Sequence, residues 1–393
     1  MKKLSFLLVF ALFSCSDKNV PESVQISVPA EFSAKTTSFA FDFWKSYEKE
    51  KGAEGSYFLS PLSLNMALGM LMNGAEGETQ SEIRQMLGFQ QGDMASVNQY
   101  YIELLEKLPK VDPKVKNLLA NSVWHDKEFA VEKAYLDLLK KDFSAEVYGE
   151  DFRQASTVNK INAWAAKHTE NKIQKVLDEI RADQVLFLMN ALYFKGDWTK
   201  TFDPKNTVKD TFYGAKGKRE EEFMSIKDNF PYADMDGFEA VELPYGNEKY
   251  GLVVMLPKGD SVEDMILGLD ELKWNATLAS LSPQKVQLSL PKMKMETSTE
   301  LISVLQNMGM KKAFTDGAEL GGISKSAQLV VGLVKQDTYV AMDEKGTEAA
   351  AVTTIGVELT SIPQYPVIKC DRPFAFAIVE KTSNTIQFIG KLN

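Results

Sequence analysis

Cysteine and histidine are almost missing from this chain: its 393 residues hold two of each. If Cys15, in the N-terminal leader, is consumed by a lipid, Cys370 has no disulfide partner and the fold rests on its core alone. A zinc site needs more ligands than His125, His168 and one thiol provide, and neither histidine lies in an HExxH pattern. A Ser/His/Asp triad would have to use one of these two. His168 stands at helical spacing from Ile161, Trp164 and Ala165 and edges an amphipathic helix, while His125, beside Asp126, reads as a turn residue. There is also no G-x-S-x-G elbow and no G-x-x-x-x-G-K-[ST] phosphate loop. With 54 acidic residues, carboxylate pairs occur everywhere and single out nothing. The chain is expected to be no enzyme, with no catalytic residues, no metal and no cofactor.

Positive charge is scarce as well. The net charge of -9 argues against nucleic acid as a partner, because phosphate binding needs a basic surface. Lys107, Lys110, Lys114 and Lys116 do cluster, but Pro109 and Pro113 interrupt them, and a solvated face is the simpler reading. No Gly/Ser/Pro-rich linker and no internal repeat divides the chain, so residues 33–393 are expected to form one domain.

The leader is a different matter. Met1-Lys2-Lys3 precedes an apolar run, Leu4 to Phe13, that is too short to span a bilayer and fits a secretory signal. Leu12-Phe13-Ser14-Cys15 resembles a bacterial lipoprotein cleavage box, although Phe13 stands where a small residue is usual. The expectation is a signal peptide over 1–15, a lipid on Cys15 and a flexible tether over 16–32. The protein would then be exported and lipid-anchored at the bacterial cell surface or outer membrane. An ordinary signal peptide and a secreted chain are the alternative.

Helix punctuation is dense between Phe58 and Phe89. Ser60-Pro61 supplies an N-cap and a first-turn proline, and Leu62 to Met72 is apolar nearly all round, as a core helix should be. Thr79-Gln80-Ser81-Glu82 reads as a capping box for the next helix. VLFLMNALYF (185–194) and GLVVMLP (251–257) read as buried strands, VQLSL (286–290) as an alternating one. FAFAIVEKTSNTIQFIGK (374–391) reads as two strands about a turn at Ser383-Asn384. Helices dominate the first 180 or so residues and strands the rest, which is an α+β pattern.

One stretch fits poorly with an ordinary strand. EKGTEAAAVTTIGVELTSIP (344–363) alternates from Thr347, with Thr347, Ala349, Ala351, Thr353, Ile355, Val357 and Leu359 on one face. All are small or apolar, while the charges Glu348 and Glu358 fall on the other face. A strand with one face suited to burial lies here without a turn or a neighbour to pair with.

These blocks together resemble the serpin family, in unbroken order from about Phe39 to Lys391. NKINAWAAKHTENKIQKVL (159–177) resembles its helix-F segment, and NALYFKGDWTKTFDP (190–204) and VELPYGNEKYGLVVMLP (241–257) resemble central-sheet and body blocks. DEKGTEAAAVT (343–353) resembles its reactive-loop hinge, and DRPFAFAI (371–378) its C-terminal signature. The resemblance implies an α+β serpin fold with three β-sheets, about nine helices and an exposed reactive-centre loop near 345–366. It implies a protease inhibitor that works as a suicide substrate: a protease cuts the loop, and the freed segment enters the main sheet while the acyl-enzyme persists.

The same resemblance assigns roles to residues. The hinge comprises Glu344, Gly346, Thr347, Glu348, Ala349, Ala350 and Ala351. The shutter and breach of the sheet take Ser60, Ser63, Asn190, Trp198 and Gln336, the last standing where the family normally has His. The cut falls at Thr360–Ser361, with Leu359 and Ile362 as register alternatives because the stretch to Arg372 is longer than usual. No Lys or Arg occurs between Lys345 and Lys369, which disfavours trypsin-like targets and suits elastase-like or subtilisin-like serine proteases. Cysteine proteases with a similar acyl step remain open, and the chain is expected to act as a monomer. The alternative within the family is a non-inhibitory binding or chaperone-like surface protein.

Overall fold

The computed structural model describes residues 24–52, 55–90, 92–259, 261–347 and 365–393. The first half runs α1 (Ala30–Lys51), β1 (Tyr57–Leu59), α2 (Pro61–Gly74), α3 (Gly77–Met86), α4 (Met94–Lys107), β2 (Val115–Asp126), α5 (Lys133–Asp142), β3 (Glu146–Glu150) and α6 (Ala155–His168). The middle is strand-rich: β4 (Leu186–Asp197), β5 (Val208–Gly214), β6 (Gly217–Met235), β7 (Phe238–Tyr245) and β8 (Tyr250–Pro257). There follow α7 (Val262–Leu267), α8 (Glu271–Ser280), β9 (Ser282–Pro291), β10 (Met293–Glu300) and α9 (Ile302–Asn307). The chain closes with β11 (Lys335–Met342), β12 (Gly346–Thr347), β13 (Val367–Lys369), β14 (Phe374–Glu380) and β15 (Thr385–Leu392). Nine α-helices among the described residues match the expected number.

Hydrogen bonding links the strands into a six-stranded sheet, β10-β11-β12-β4-β2-β3, and a nine-stranded one. The larger contains two of the three expected sheets, joined through β6. That strand pairs with β9 over Phe223–Tyr232 and with β7 over Tyr232–Met235, so its two ends belong to differently oriented layers. β8, β14 and β15 are buried along their whole length, which is why GLVVMLP in β8 reads as a continuous apolar run, although β15 also buries Gln387 and Lys391.

α2 threads the core beneath the six-stranded sheet. Ser60 caps it by accepting a hydrogen bond from Ser63 N at 3.1 Å, and Pro61 opens its first turn. α3 departs from expectation: it starts at Gly77, two residues before the proposed capping box. Its N-terminal amides are satisfied from afar, where Glu319 Oε2 accepts from Glu78 N at 2.6 Å and Thr79 N at 3.3 Å. α6 stops at His168, short of the expected segment end, because Glu170 and Asn171 adopt positive φ of 50° and 61°. His125 belongs to the end of β2 and not to a turn.

The expected tether also ends earlier. Residues 24–29 lie against α4: Ser27 N donates to Glu103 Oε1 at 2.9 Å, Lys107 Nζ donates to Gln25 O at 3.0 Å, and Ile26 is buried. α1 begins at Ala30, because Phe32 has a hydrophobic place beside Phe89 and Tyr100. Cys370 is buried and unpaired, and burial pushes its thiol up, so it is an inert core residue. No helix among the described residues is long and apolar enough to cross a membrane.

Candidate functional site

The site lies where β4 and β11 run side by side without pairing directly. Among the described residues only β12 joins them: Thr347 faces Gly196 on β4 and Met342 on β11, and Gly346 faces Asp197. The expected loop hinge has therefore begun a new strand at one end of the sheet. Gly346 is required there by close approach. A Cβ at this position would lie 2.1 Å from Gly196 O and 2.7 Å from Asp197 Cα, and the backbone has φ +157°.

Thr347 points into the body. It is 2% exposed, and its hydroxyl is 2.8 Å from Tyr245 OH. Trp198 covers this contact by stacking on Tyr245 with ring centroids 4.4 Å apart. The same tryptophan holds the approach to the hinge: its backbone N donates to Lys345 O at 2.6 Å and its indole Nε1 to Asp343 O at 2.9 Å. Phe202 N donates to Glu344 O at 2.8 Å.

Glu344 is clamped as well. Lys292 Nζ lies 2.8 Å from its carboxylate, and Thr207 Oγ1 donates to it at 2.7 Å. Burial pushes this carboxyl up, but the bonds from Lys292 and Thr207 outweigh it and hold it below the usual glutamate range. Lys292 also approaches Glu222 at 3.4 Å, so the clamp ties the sheet's end to β6.

Below β12 the sheet is open. A cavity of about 620 Å³ runs between β4 and β11, walled by Leu188 and Leu333, floored by Leu64 and Leu68 of α2, and roofed by Trp164 of α6. The expected shutter residues line it but form two separate halves. Gln336 is fixed to the α2 cap by two bonds: Ser60 N donates to Gln336 Oε1, and Gln336 Nε2 donates to Ser60 O, both at 2.9 Å. Ser60 Oγ donates to Gln387 O at 2.8 Å. Across the gap, Asn190 Nδ2 donates to Asn121 Oδ1 at 2.7 Å, and its own Oδ1 is buried without a partner among the described residues.

The loop's other end is anchored nearby. Gln287 N on β9 donates to Pro366 O at 3.0 Å, and the ammonium groups of Lys227 and Lys285 lie 4.9 and 5.9 Å from the Tyr365 ring centroid. Lys292 and Gln287 are five positions apart, about 17 Å along an extended chain. The seventeen residues 348–364 join these anchors.

The structure thus gathers Glu344, Gly346, Thr347 and Trp198 at one end of the slot and Ser60, Ser63, Asn190 and Gln336 along it. Glu348, Ala349, Ala350, Ala351, Leu359, Thr360, Ser361, Ile362 and Cys15 lie outside the described residues. Four participants were missed in the sequence: Lys292, Thr207, Tyr245 and Asn121. Tyr245 sits in the quoted block VELPYGNEKYG and Lys292 directly follows the strand VQLSLP, but nothing local marks either as a hinge contact. No cluster of metal-ligating side chains occurs among the described residues.

Comparison with known proteins agrees with this architecture. The family model for serpins (serine protease inhibitors) matches residues 34–393. The chain belongs to the serpin family and has its fold. It is 31% identical to the leukocyte elastase inhibitor of Xenopus laevis, over 91% of this chain and 98% of that one. It superposes on the native state of the thermophilic serpin Tengpin with a TM-score of 0.85, at 29% identity, covering 94% and 95% of the two chains. It superposes similarly on human thyroxine-binding globulin in complex with its hormone, at 25% identity and a TM-score of 0.83, covering 92% and 98%. Serpins are mostly protease inhibitors rather than catalytic enzymes, and some are non-inhibitory.

Proposed function

We propose that this serpin is an inhibitor that traps serine proteases of elastase-like or subtilisin-like preference. The observation that supports this reading is β12: Gly346 and Thr347 lie between β4 and β11 above an open slot. The residues that follow, Ala349-Ala350-Ala351, can enter it without burying charge or bulk. Cutting at Thr360–Ser361 would free a strand whose small and apolar face matches the core side. Each ladder hydrogen bond contributes roughly 0.5–1.5 kcal/mol and each large apolar side chain roughly 1.5–3 kcal/mol. The total, on the order of 10–25 kcal/mol, rivals the stability of a whole domain. A bonded acyl-enzyme dragged roughly 46 Å by fourteen inserted residues loses its triad geometry, and deacylation fails.

The chain is further read as exported, with a lipid on Cys15 holding it at a bacterial surface, and as a monomer. A bulky or charged residue on the core-facing side of the hinge would favour the binding-protein alternative, and Thr347, Ala349 and Ala351 are small and uncharged. Mixing the purified mature chain with elastase, subtilisin and trypsin tests the reading on denaturing gels, with mass spectrometry of the released peptide. A denaturant-resistant complex with elastase or subtilisin and a peptide starting at Ser361 is expected. Clean cleavage without a complex would overturn inhibition.

A further inference from the structure

We infer that Tyr365, clasped by Lys227 and Lys285, is the lock that holds β13 on its sheet and so keeps the uncut chain from filling the slot. The inference deepens the strand-insertion reading and rests on it.

β13 is a weak element by itself. It is three residues long, lies at the edge of the nine-stranded sheet and pairs in parallel with β9 alone among the described strands. Of its residues only Ile368 is buried in the core, while Val367 is 50% exposed. Just before it, Pro366 has no N–H to give, and its carbonyl accepts a single bond from Gln287 N at 3.0 Å.

Tyr365 makes up for this weakness. The register sets Val367 beside Gln287, so two residues earlier Tyr365 comes beside Lys285. Lys227 lies diagonally across on β6, because it faces Gln287 while Lys285 faces Asn229. Both ammonium groups reach the ring, at 4.9 Å for Lys227 and 5.9 Å for Lys285, within the range of a cation–π contact. Tyr365 falls in the stretch before Arg372 that is longer than usual.

Chain length makes the clasp a lock. Fourteen residues inserted from Thr347 run about 46 Å down the slot, and the four left before Tyr365 reach back only about 13 Å. An uncut chain fills the slot only by peeling β13 off β9, and peeling from the loop side meets Tyr365 first. A cut removes that requirement, so the clasp opposes insertion before cleavage and not after it.

The test incubates intact wild type, Tyr365→Leu and Tyr365→Phe without protease, below their unfolding temperature. Two readouts are followed: amide exchange around β13, and the fraction of chain whose loop subtilisin still cuts. Leucine keeps apolar bulk without a ring face, and phenylalanine keeps the ring. Tyr365→Leu is expected to exchange faster at Cys370 N, which bonds Ser289 O. It is also expected to lose the cuttable form about tenfold faster than wild type, the factor that two exposed cation–π contacts give, with phenylalanine at the wild-type rate. Equal behaviour of wild type and Tyr365→Leu, or a phenylalanine variant that follows leucine, would overturn the inference. Faster exchange without faster loss would overturn it too, since the clasp would then not guard the slot. If cut wild type gains no urea resistance over its intact form, the insertion reading itself fails and the lock with it.

Discussion

If the chain traps proteases as proposed, Thr347→Arg is expected to turn it from an inhibitor into a substrate. The native side chain is 2% exposed, touches Tyr245 OH and sits between Gly196 and Met342 on the first rung of the new strand. A guanidinium there would be taken out of water without a carboxylate partner, which costs several kcal/mol. Insertion is a race against deacylation, and each 1.4 kcal/mol added to its barrier slows it about tenfold. The ratio of trapped to cleaved inhibitor, read by gel densitometry against subtilisin, should fall by at least about tenfold while the rate of loop cleavage stays near that of wild type. Ala349→Pro should act similarly by removing an N–H from the ladder. A variant that traps protease at the wild-type stoichiometry would contradict the hinge assignment.

Lys391→Met should strongly destabilise the body. Lys391 on β15 is fully buried, with Nζ 2.6 Å from Glu48 Oε1, 2.8 Å from Gly52 O and 3.1 Å from Glu263 Oε1. Glu48, itself buried, also accepts from Tyr57 OH, which in turn accepts from Trp44 Nε1 at 2.8 Å. Removing the ammonium leaves a buried carboxylate without its cation, a loss of about 3–5 kcal/mol. Urea unfolding of the intact chain should register it. A loss below about 1 kcal/mol would contradict the role of Lys391 as the cation that satisfies Glu48.

What the sequence disclosed, and what it hid, follows from the range of the interactions. The alternation over 347–359 is a local, period-two signal, and the structure turns Thr347 to the core side that this alternation assigned to it. The run 185–194 was legible as a strand through a different local signal, its continuous apolar character at strand length. Glu344–Lys292 and Glu319 capping α3 were not legible, because their partners lie 52 and about 240 residues away and leave no local pattern. Sequence reading put Gln336 at the shutter as a substitute for an imidazole. It could not show that both ends of the amide would be spent on Ser60, leaving Asn190 on a separate half. The tether was drawn too long because Ile26 and Phe32 are ordinary apolar residues until α4 and Phe89 give them a surface.

If the cleaved loop becomes the strand between β4 and β11, a distance across the slot reports it. Spin labels at Glu358→Cys and Asp183→Cys would be followed before and after loop cleavage; Asp183 lines the far end of the slot, and Cys370 is buried away from labelling. From Thr347 to the register position of Glu358 is eleven residues, about 36 Å of strand. Cleavage should bring the labels within about 20 Å of each other, and more slowly with Thr347→Arg than with the wild-type hinge. A separation that cleavage leaves unchanged would contradict the account.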